Sequence, residues 1–311
     1  MTSNSRPHTV VMTGASRGIG WAAAESILRL DPTARLVTIG RGPGPSHSRA
    51  THVRADLRSV AQTAAAVDSI ARRIVAKELP PLDVVVGNAG VQCATNCSET
   101  EDGYETTFAV AVVANHLVVR GFADALDRPA RVVITVSDTH FGDVRHNLGM
   151  VPGPRWVPPD RLARVRAFAD PESVRAGRTA YSTNKLAAIH LVHALARVLP
   201  AGVDVVSFNP GFVPGTGLAR DAGFVSRSAM VWLLPVLAVT PIASTAAQAG
   251  RALADVALGV IATRSGDYVD RRTVTRSSDE SYDRQREDEL WAFLNDGRVR
   301  GYGRKNAEIR P

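Results

Sequence analysis

Residues 180–185 place a phenol and an ammonium group four residues apart, where an apolar helical pattern begins. On a helix, residues four apart lie on the same face, so Tyr181 and Lys185 are predicted to be neighbours. An unperturbed tyrosine has a pKa of about 10 and exchanges protons poorly near neutral pH. Because a lysine cation favours the phenolate, Lys185 is expected to lower the pKa of Tyr181 and to fit it for general acid/base catalysis.

The lysine at position 185 favours this interpretation over a solvated surface pair. Only 3 of the 37 basic residues are Lys, and the others are Arg. An ammonium group is a compact charge with three rotatable donors, whereas a guanidinium group is a rigid planar fork. Lys185 therefore marks a position where an arginine would not serve.

The composition describes an ordinary globular protein with a basic charge. The chain has 311 residues, 45% of them hydrophobic and 22% charged, which suits one large α/β domain or two small ones. The net charge of +7 raises the question of nucleic-acid binding, but the arginines are scattered and are not interleaved with aromatic residues. The sequence therefore predicts no nucleic-acid partner.

No segment predicts stable membrane insertion, a disulfide framework or a metal site. The longest apolar run, residues 230–240, is about half the length that crosses a bilayer, and we interpret it as a helix over an apolar pocket. Cys93 and Cys97 are too few for a disulfide framework or a four-cysteine zinc site. His190 and His193 have no evident third metal ligand, so we expect them to be packed histidines. We expect the two cysteines to be reduced thiols in a cytoplasmic protein.

A strand, a glycine-rich turn and a helix at the amino terminus predict a dinucleotide-binding unit. The apolar run at residues 9–12 leads into a turn with the spacing G-x-x-x-G-x-G, and an apolar-periodic segment follows at residues 21–30. Glycines permit a tight turn and a close approach of backbone N–H groups to phosphate, which the helix N-terminus also attracts. The predicted cofactor contacts in this turn are Gly14, Ser16, Arg17, Gly18, Ile19 and Gly20.

The end of the second predicted strand favours NADPH over NADH. The strand at residues 35–39 leads to Gly40 and Arg41, at the place where an acidic residue would bind the ribose 2′-hydroxyl of NADH. An arginine can instead pair with the 2′-phosphate of NADPH, and Arg17 is a second candidate for that contact. The alternative interpretation of Arg41 is a solvated surface residue.

Two further strand ends contribute predicted cofactor contacts. The predicted strand at residues 52–55 leads to Asp56 and Leu57, which are expected beside an adenine. The predicted strand at residues 82–86 leads to Gly87-Asn88-Ala89-Gly90, small residues that let a backbone pass close to a ribose.

The rest of the chain continues to alternate helices and strands. Helices are predicted at residues 60–77, 103–126, 181–199, 243–258 and 279–294, and strands at residues 132–136, 203–208 and near Tyr268. The connection between the second and third strands is too short for a full helix. Without a repeat or a domain boundary, residues 1–311 are predicted to form one α/β domain, a Rossmann-like doubly wound parallel sheet with helices on both faces.

Two segments are candidates for the substrate side of this domain. Residues 138–180 form a long, proline-rich and loop-like insertion, which we interpret as a lid or substrate wall with Trp156 as a contact. Residues 218–240 form an apolar segment with Trp232 as a second contact. Both segments favour a bulky lipophilic substrate.

The motifs together resemble the short-chain dehydrogenase/reductase family over roughly residues 8–295. The resemblance rests on four motifs, Thr13-Gly14-x-x-x-Gly18-x-Gly20, Asn88-Ala89-Gly90, Tyr181-x-x-x-Lys185 and Pro210-Gly211. Asn115-His116-Leu117, the long gap before Tyr181 and the ending around Leu290-Trp291 are similar to the branch of retinol dehydrogenases and protochlorophyllide reductases.

The resemblance implies a role for each matching residue. Tyr181 would exchange a proton with the substrate oxygen, and Lys185 would lower its pKa and hold the nicotinamide ribose. Ser137 would hydrogen-bond the substrate oxygen. Asn115 would hold a water that links Lys185 to solvent, and Val213 would meet the carboxamide through its backbone. Pro210 and Gly211 would form the turn beside the nicotinamide, and Phe212 is a candidate substrate contact.

Two positions depart from the family pattern. The threonine expected five residues after Pro210 is replaced by Gly215, so the neighbouring Thr216 is assigned the pyrophosphate contact. Thr135 is a rival to Ser137, although it precedes the carboxyl end of the strand, where ligands bind.

The resemblance implies an NADP(H)-dependent oxidoreductase that acts on a ketone or a secondary alcohol. With a lipophilic substrate, a polyketide, terpenoid or steroid-like ketone of secondary metabolism fits this expectation. The alternatives are reduction of an activated C=C bond and a catalytically silent dinucleotide-binding sensor or scaffold. Dimers and tetramers are common in the resembled family, while long insertions favour monomers, so the oligomeric state stays open.

Overall fold

In the computed structural model, which describes residues 6–147, 149–213, 244–296 and 299, eight strands form one sheet. In chain order the strands are β1 His8–Thr13, β2 Ala34–Gly40, β3 Ala50–Arg54, β4 Leu82–Gly87, β5 Leu126–Thr135, β6 Val203–Asn209, β7 Tyr268–Asp270 and β8 Thr273–Thr275. Their spatial order is β3-β2-β1-β4-β5-β6-β7-β8. All neighbours are parallel except β7 and β8. The predicted doubly wound α/β fold is confirmed, and the antiparallel edge strand β8 was not predicted.

Helices cover both faces of this sheet. In chain order they are α1 Gly18–Leu30, α2 Val60–Val75, α3 Thr106–Phe108, α4 Ala114–Phe122, α5 Val144–Asn147, α6 Pro159–Leu162, α7 Val174–Val198, α8 Ala246–Ala257 and α9 Arg284–Asn295. A π-helical turn, Ala109–Val113, joins α3 to α4, and 3₁₀ turns lie at Asp138–Phe141 and Asp279–Tyr282. As predicted from their short connection, β2 and β3 follow each other without an intervening helix.

The strands are buried on both faces because a separate apolar cluster lies on each side of the sheet. On one side, α1 and α8 contribute Ile27 and Leu253 to a cluster with Val10 of β1. On the other side, α2, α4 and α7 pack against side chains such as Val11 and Val85. A strand covered on both faces reads as a continuous apolar run, which is why β1 and β4 were recognisable in the sequence.

The catalytic helix begins earlier than the sequence indicated. Helix α7 starts at Val174, with the Ser173 side chain accepting a hydrogen bond from the N–H of Ala176, so Tyr181 lies in its third turn. Gly177 obscured this start, because a glycine inside a helix weakens the helical pattern. The glycine is required here, since a Cβ at position 177 would lie 2.4 Å from the carbonyl oxygen of Ala94.

The helix predicted at residues 103–126 is shorter and less regular than expected. Its first turn begins at Thr106, where the Glu105 side chain accepts a hydrogen bond from the N–H of Phe108, and α4 ends at Phe122. Strand β5 then begins at Leu126, six residues before the predicted start. The polar residues between Leu126 and Ala130 hide this part of the strand from an apolar pattern.

The substrate-side predictions fall on two different kinds of segment. Residues 138–180 hold a 3₁₀ turn, α5, α6 and the start of α7 rather than one long loop. Residues 218–240, with Trp232, and the residue Thr216 lie outside the described part of the chain. Within the described residues, no helix is both long enough and apolar enough to cross a membrane.

Candidate active site

The predicted catalytic residues meet at the carboxyl ends of the central strands. Ser137 follows β5 by two residues, and α7 brings Tyr181 and Lys185 to the same edge. The Lys185 Nζ lies 5.7 Å from the centre of the Tyr181 ring and donates a hydrogen bond to the carbonyl oxygen of Thr135 at 3.0 Å. The Tyr181 hydroxyl is hydrogen-bonded to the Ser137 side chain. The structure therefore brings these three side chains together.

Burial decides the protonation states of this pair. Burial raises the pKa of Tyr181 to about 12, and the charge of Asp138 also raises it, while a hydrogen bond with Ser137 acts in the opposite direction. Burial also lowers the pKa of Lys185 to about 8. The expectation that Lys185 lowers the pKa of Tyr181 is therefore wrong, because desolvation of the phenolate dominates that pKa. At neutral pH the phenol is protonated and the lysine is charged.

Asn115 is held beneath the edge of the sheet by a break in its helix. The π-helical turn directly precedes α4, and the Asn115 side-chain N–H donates to the carbonyl oxygen of Ala111 at 2.8 Å. A Cβ at Gly87 would lie 2.1 Å from the Asn115 Oδ1, so the strand must carry glycine there. The sequence marked Gly87 as room for a ribose, whereas in the structure it makes room for Asn115. π-helical turns are frequent at functional sites, but no sequence signal predicts them.

The glycine-rich turn brings its backbone close to the neighbouring strand end. Gly14 and Gly18 have φ angles of +70° and +55°, which favour glycine, and a Cβ at Gly20 would lie 2.0 Å from the carbonyl oxygen of Gly14. Arg17 is the N-cap of α1 and makes no side-chain capping hydrogen bond, and the first turn has no acidic residue. The N–H groups at this helix start are thus available to an anion such as a dinucleotide phosphate, and these residues fit the cofactor that the sequence predicts. Ser16 and Arg17 are exposed at this turn, while Ile19 is half-buried.

Two threonines tie the neighbouring strand ends together behind that turn. The Thr13 Oγ1 accepts hydrogen bonds from the N–H groups of Asn88 and Ala89, both at 3.1 Å. The Thr135 hydroxyl donates to the Asn88 Oδ1 at 3.3 Å, and the Asn88 Nδ2 donates to the carbonyl oxygen of Gly14 at 3.2 Å. Thr135 therefore supports Asn88 through its hydroxyl and Lys185 through its carbonyl. This supporting role differs from the role of Ser137, for which Thr135 was the rival candidate. Gly90, which follows Asn88 and Ala89 in the chain, is half-buried.

The predicted adenine corner contains one more arginine than the sequence analysis identified. The Asp56 carboxylate accepts hydrogen bonds from Arg58, the shortest of them 2.6 Å, beside the half-buried Leu57. Burial would raise the pKa of Asp56, but the Arg58 hydrogen bonds and the charges of Arg58 and Arg41 hold it below its ordinary value. Arg41 is exposed at the end of β2, and a Cβ on the next residue, Gly42, would lie 3.5 Å from the Ser16 Cβ. The glycine-rich turn and this corner are thus adjacent.

The predicted turn beside the nicotinamide is held by the side chain of Asn209. Its Oδ1 accepts a hydrogen bond from the N–H of Gly211 at 3.2 Å, and Gly211 has a φ angle of +72°. Phe212 is half-buried and its carbonyl oxygen accepts from the N–H of Ser244, while Val213 is 9% exposed. Pro210 is buried between Asn209 and this turn.

Trp156 is not brought to the catalytic residues. Its ring packs edge-on against the His190 ring at 4.9 Å, and the Arg286 guanidinium lies over it. His190 is nine residues beyond Tyr181 on α7, a rise of about 13 Å along the helix axis. The structure gives Trp156 a packing role against α7, and the predicted substrate contact is not supported by this position.

His193, the second histidine of the predicted packed pair, binds α9. Its Nδ1 lies 2.9 Å from both the Glu287 Oε1 and the carbonyl oxygen of Ser281, so it carries the ring proton and donates to both oxygens. In the described part of the chain, no group of three or more His, Cys, Asp or Glu side chains could hold a metal ion.

Two polar residues beside Ser137, His140 and Asp138, had no predicted role. Burial lowers the pKa of His140 to about 4, so the ring is neutral. Its Nδ1 lies 2.6 Å from the carbonyl oxygen of Ser137 and must donate to it, while its Nε2 accepts from the N–H of Ser278. Asp138 accepts a hydrogen bond from the Ser137 hydroxyl at 3.3 Å. Their types were visible in the sequence, but the turn that directs them was not.

Comparison with known proteins identifies the family of this fold. The short chain dehydrogenase family matches residues 8–147. A Streptomyces sp. (strain C5) protein provisionally named daunorubicin C-13 ketoreductase is 33% identical over 218 residues, which cover 66% of each chain. Human retinol dehydrogenase 14 is 29% identical over 237 residues, covering 68% of this chain and 63% of its own. These alignments span at most about two thirds of the relatives' own lengths.

A solved structure shows the same fold over most of the chain. The NADPH-bound carbonyl reductase from chicken fatty liver aligns with a TM-score of 0.59 and 17% identity, covering 87% of this chain and 99% of its own. At that identity the likeness describes the fold alone. The family match and the sequence relatives show that the chain is an oxidoreductase of the short-chain dehydrogenase/reductase family, similar to the retinol dehydrogenase-like branch.

Proposed function

We propose that this protein is an NADP(H)-dependent oxidoreductase that reduces a ketone, or oxidises the corresponding secondary alcohol, with Tyr181 as the proton donor or acceptor. The observation that carries the proposal is the buried Tyr181 hydroxyl, hydrogen-bonded to Ser137 and carried on the same helix face as Lys185. The names of two relatives, a ketoreductase and a retinol dehydrogenase, support the same class of reaction.

The chain's own residues account for the proton and for the developing charge. When bound, a reduced nicotinamide supplies the hydride. Tyr181, protonated at neutral pH because burial raises its pKa to about 12, gives its proton to the substrate oxygen. The Ser137 hydroxyl donates a hydrogen bond to the same oxygen and stabilises its negative charge. The charged Lys185, which uses one donor on Thr135, has two donors left for the cofactor ribose and offsets the phenolate charge.

Arginines near the glycine-rich turn support NADPH as the preferred cofactor. Arg17 caps α1 without a side-chain hydrogen bond to the helix, and Arg41 is exposed at the end of β2. A guanidinium fork matches the geometry of a phosphate. The carbonyl reductase with the same fold is bound to NADPH, which supports the same choice.

We further propose that the substrate is bulky and lipophilic. The support is the apolar sequence of residues 230–240 and the half-buried Phe212. The test is a ketone series of increasing apolar size, in which kcat/KM should rise with size. Activity confined to small charged ketones would contradict this part of the proposal.

Tyr181→Phe tests the proton-transfer role directly. The change keeps the ring and removes the proton, so ketone reduction should fall by about 10²–10⁴-fold, the usual contribution of a general acid. The measurement is NADPH consumption over a ketone panel, with NADPH binding followed separately by its fluorescence. Tyr282→Phe, which removes the hydroxyl of an exposed tyrosine that stacks on His193 in the second half of α7, is the matched control. Undiminished turnover in Tyr181→Phe would contradict the assignment of Tyr181 as the proton donor.

A further inference from the structure

Asp138 lies beside the proposed proton donors and has no role in the mechanism above. It directly follows Ser137 and begins the 3₁₀ turn Asp138–Phe141. The Ser137 hydroxyl donates to the Asp138 Oδ1 at 3.3 Å, and the charge of Asp138 raises the pKa of Tyr181. At 3.3 Å the hydrogen bond is long for two oxygens.

The single proton of Ser137 is committed to Asp138 while Asp138 is ionised. A hydroxyl has one proton and two lone pairs. The N–H of Thr139 donates to one lone pair at 3.3 Å. A carboxylate can only accept, so the single Ser137 proton points to Asp138. In this arrangement Ser137 has no proton to offer to a substrate oxygen.

The backbone of Asp138 is anchored across the sheet edge. Its N–H donates to the Asn209 Oδ1 at 3.2 Å, and the Asn209 Nδ2 donates to the Asp270 Oδ1 at 2.9 Å. The residue that carries the carboxylate is thus held between the ends of β5, β6 and β7.

We propose that Asp138 is a positioning residue for ketone reduction: ionised, it holds the Ser137 proton away from the substrate oxygen, and protonated, it releases that proton to the substrate. The inference rests on the proposed function and adds a regulation of the same site. A protonated Asp138 can donate to the second lone pair of Ser137, which turns the serine proton toward the substrate oxygen.

The surroundings of Asp138 bring the pKa of its carboxyl group into the physiological range. Burial and the charge of Asp270 raise the pKa of Asp138 to about 6, against the hydrogen bond from Ser137 and the charges of His146 and Arg271. Two phenols in the described part of the chain also face it, Tyr181 on α7 and Tyr268 on β7. Because this pKa is raised, the protonated fraction grows as the pH falls through about 6. The rate of ketone reduction should therefore rise on acidification.

The test compares pH profiles of the wild type and Asp138→Asn with saturating NADPH. An asparagine imitates the protonated acid, so the variant should reduce ketones about tenfold faster than the wild type near pH 8, a factor within the cost of one oxyanion donor. It should also lack the acid-side rise near the pKa of about 6. Asp143→Asn is the matched control. The Asp143 carboxylate lies in the same segment as Asp138, but it binds His146 and not Ser137. Its profile should keep the rise.

A double variant separates the action through Ser137 from a direct effect of charge on Tyr181. In a Ser137→Ala background, the residual reduction should show no acid-side rise, and adding Asp138→Asn should change nothing further. A rise that survives in Ser137→Ala would overturn the positioning role, as would a rise that survives in Asp138→Asn. A wild type that binds NADPH but reduces no ketone at any pH would instead remove the proposed function, and this inference with it.

Discussion

At the scale of single residues, the corner formed by Arg41, Asp56 and Arg58 carries the cofactor preference that we propose. The Asp56 carboxylate is already committed to Arg58 through hydrogen bonds of 2.6 to 3.1 Å. One acidic and two basic side chains leave a net positive charge at the end of β2. A free carboxylate here would bind a ribose hydroxyl, whereas a paired carboxylate beside an exposed arginine favours a phosphate.

Arg41→Asp should therefore weaken NADPH binding and spare NADH. A charge-assisted hydrogen bond contributes about 1.5–3 kcal/mol, so the Kd for NADPH should rise by about 10- to 100-fold. The measurement is a fluorescence titration with each cofactor. Arg35→Asp is the control, because Arg35 is an exposed arginine at the opposite end of the same strand. Equal affinity of the unmodified protein for the two cofactors would contradict the argument.

Several residue roles could not have been derived from the sequence. The glycine-rich turn and the Tyr181–Lys185 pair are local patterns, and each depends on spacing within one element. The support that Thr13 and Thr135 give to Asn88 depends on β1, β4 and β5 being neighbours, which the chain order does not state. The raised pKa of Tyr181 was missed because spacing predicts a partner but not how much water the phenol loses.

At the scale of elements, helix α9 is fastened to the catalytic helix by one buried carboxylate. Glu287 accepts a hydrogen bond from the His193 Nδ1 at 2.9 Å and another from Arg197, both on α7. Burial would raise the pKa of Glu287, but these hydrogen bonds and the charges of both partners outweigh it and lower the pKa. The Trp291 ring packs edge-on against the His116 ring of α4 at 5.5 Å. Helix α9 thus braces the two helices that carry Asn115 and Tyr181.

Glu287→Gln should destabilise the protein in a pH-dependent way. A lowered folded-state pKa contributes stability above the unfolded-state value, near 4.5, and this contribution disappears as the pH falls through the folded-state pKa. The free energy of unfolding should drop by about 2 kcal/mol at pH 7, and the difference from wild type should shrink in acid. Denaturant titrations at several pH values measure it.

The neighbouring exposed carboxylate on the same helix gives the control for that experiment. Glu289 accepts from Gln285 within α9 and does not contact α7 through that hydrogen bond. Glu289→Gln should change the unfolding free energy by less than about 0.5 kcal/mol. A loss in Glu287→Gln that stays constant down to acid pH would show that packing, not the ion pair, holds the helix.

Element boundaries were predicted well for strands that are buried on both faces. They were predicted poorly where a local feature interrupted the apolar pattern. Strands β1 and β4 were predicted within one residue of their bounds, because both faces are covered. The start of α7 was missed because Gly177 makes room for the backbone of Ala94, a contact distant in sequence. Trp156 was assigned to a substrate wall because nothing in the chain indicates that His190 receives its ring.

At the scale of the whole molecule, the site draws on both halves of the sheet. The glycine-rich turn follows β1, Asn88 follows β4, Ser137 follows β5 and Asn209 ends β6. The strand order reverses between β1 and β4, and ligands of open α/β sheets bind in the crevice at such a point. A ligand that spans these strand ends should therefore stabilise the fold as a unit and not one segment of it.

Cofactor binding is accordingly expected to raise the thermal stability of the entire chain. NADPH at about 100 times its Kd should add about 2.7 kcal/mol to the free energy of unfolding, and NADH at the same concentration should add less. The measurement is Tm by far-UV circular dichroism and by tryptophan fluorescence, and both signals should shift together. Tyr181→Phe should keep the shift, since it removes a proton and not the glycine-rich turn, whereas Arg41→Asp should reduce it. Equal shifts with NADPH and NADH would contradict the cofactor preference, and a shift in one signal alone would contradict the coupling of the two halves.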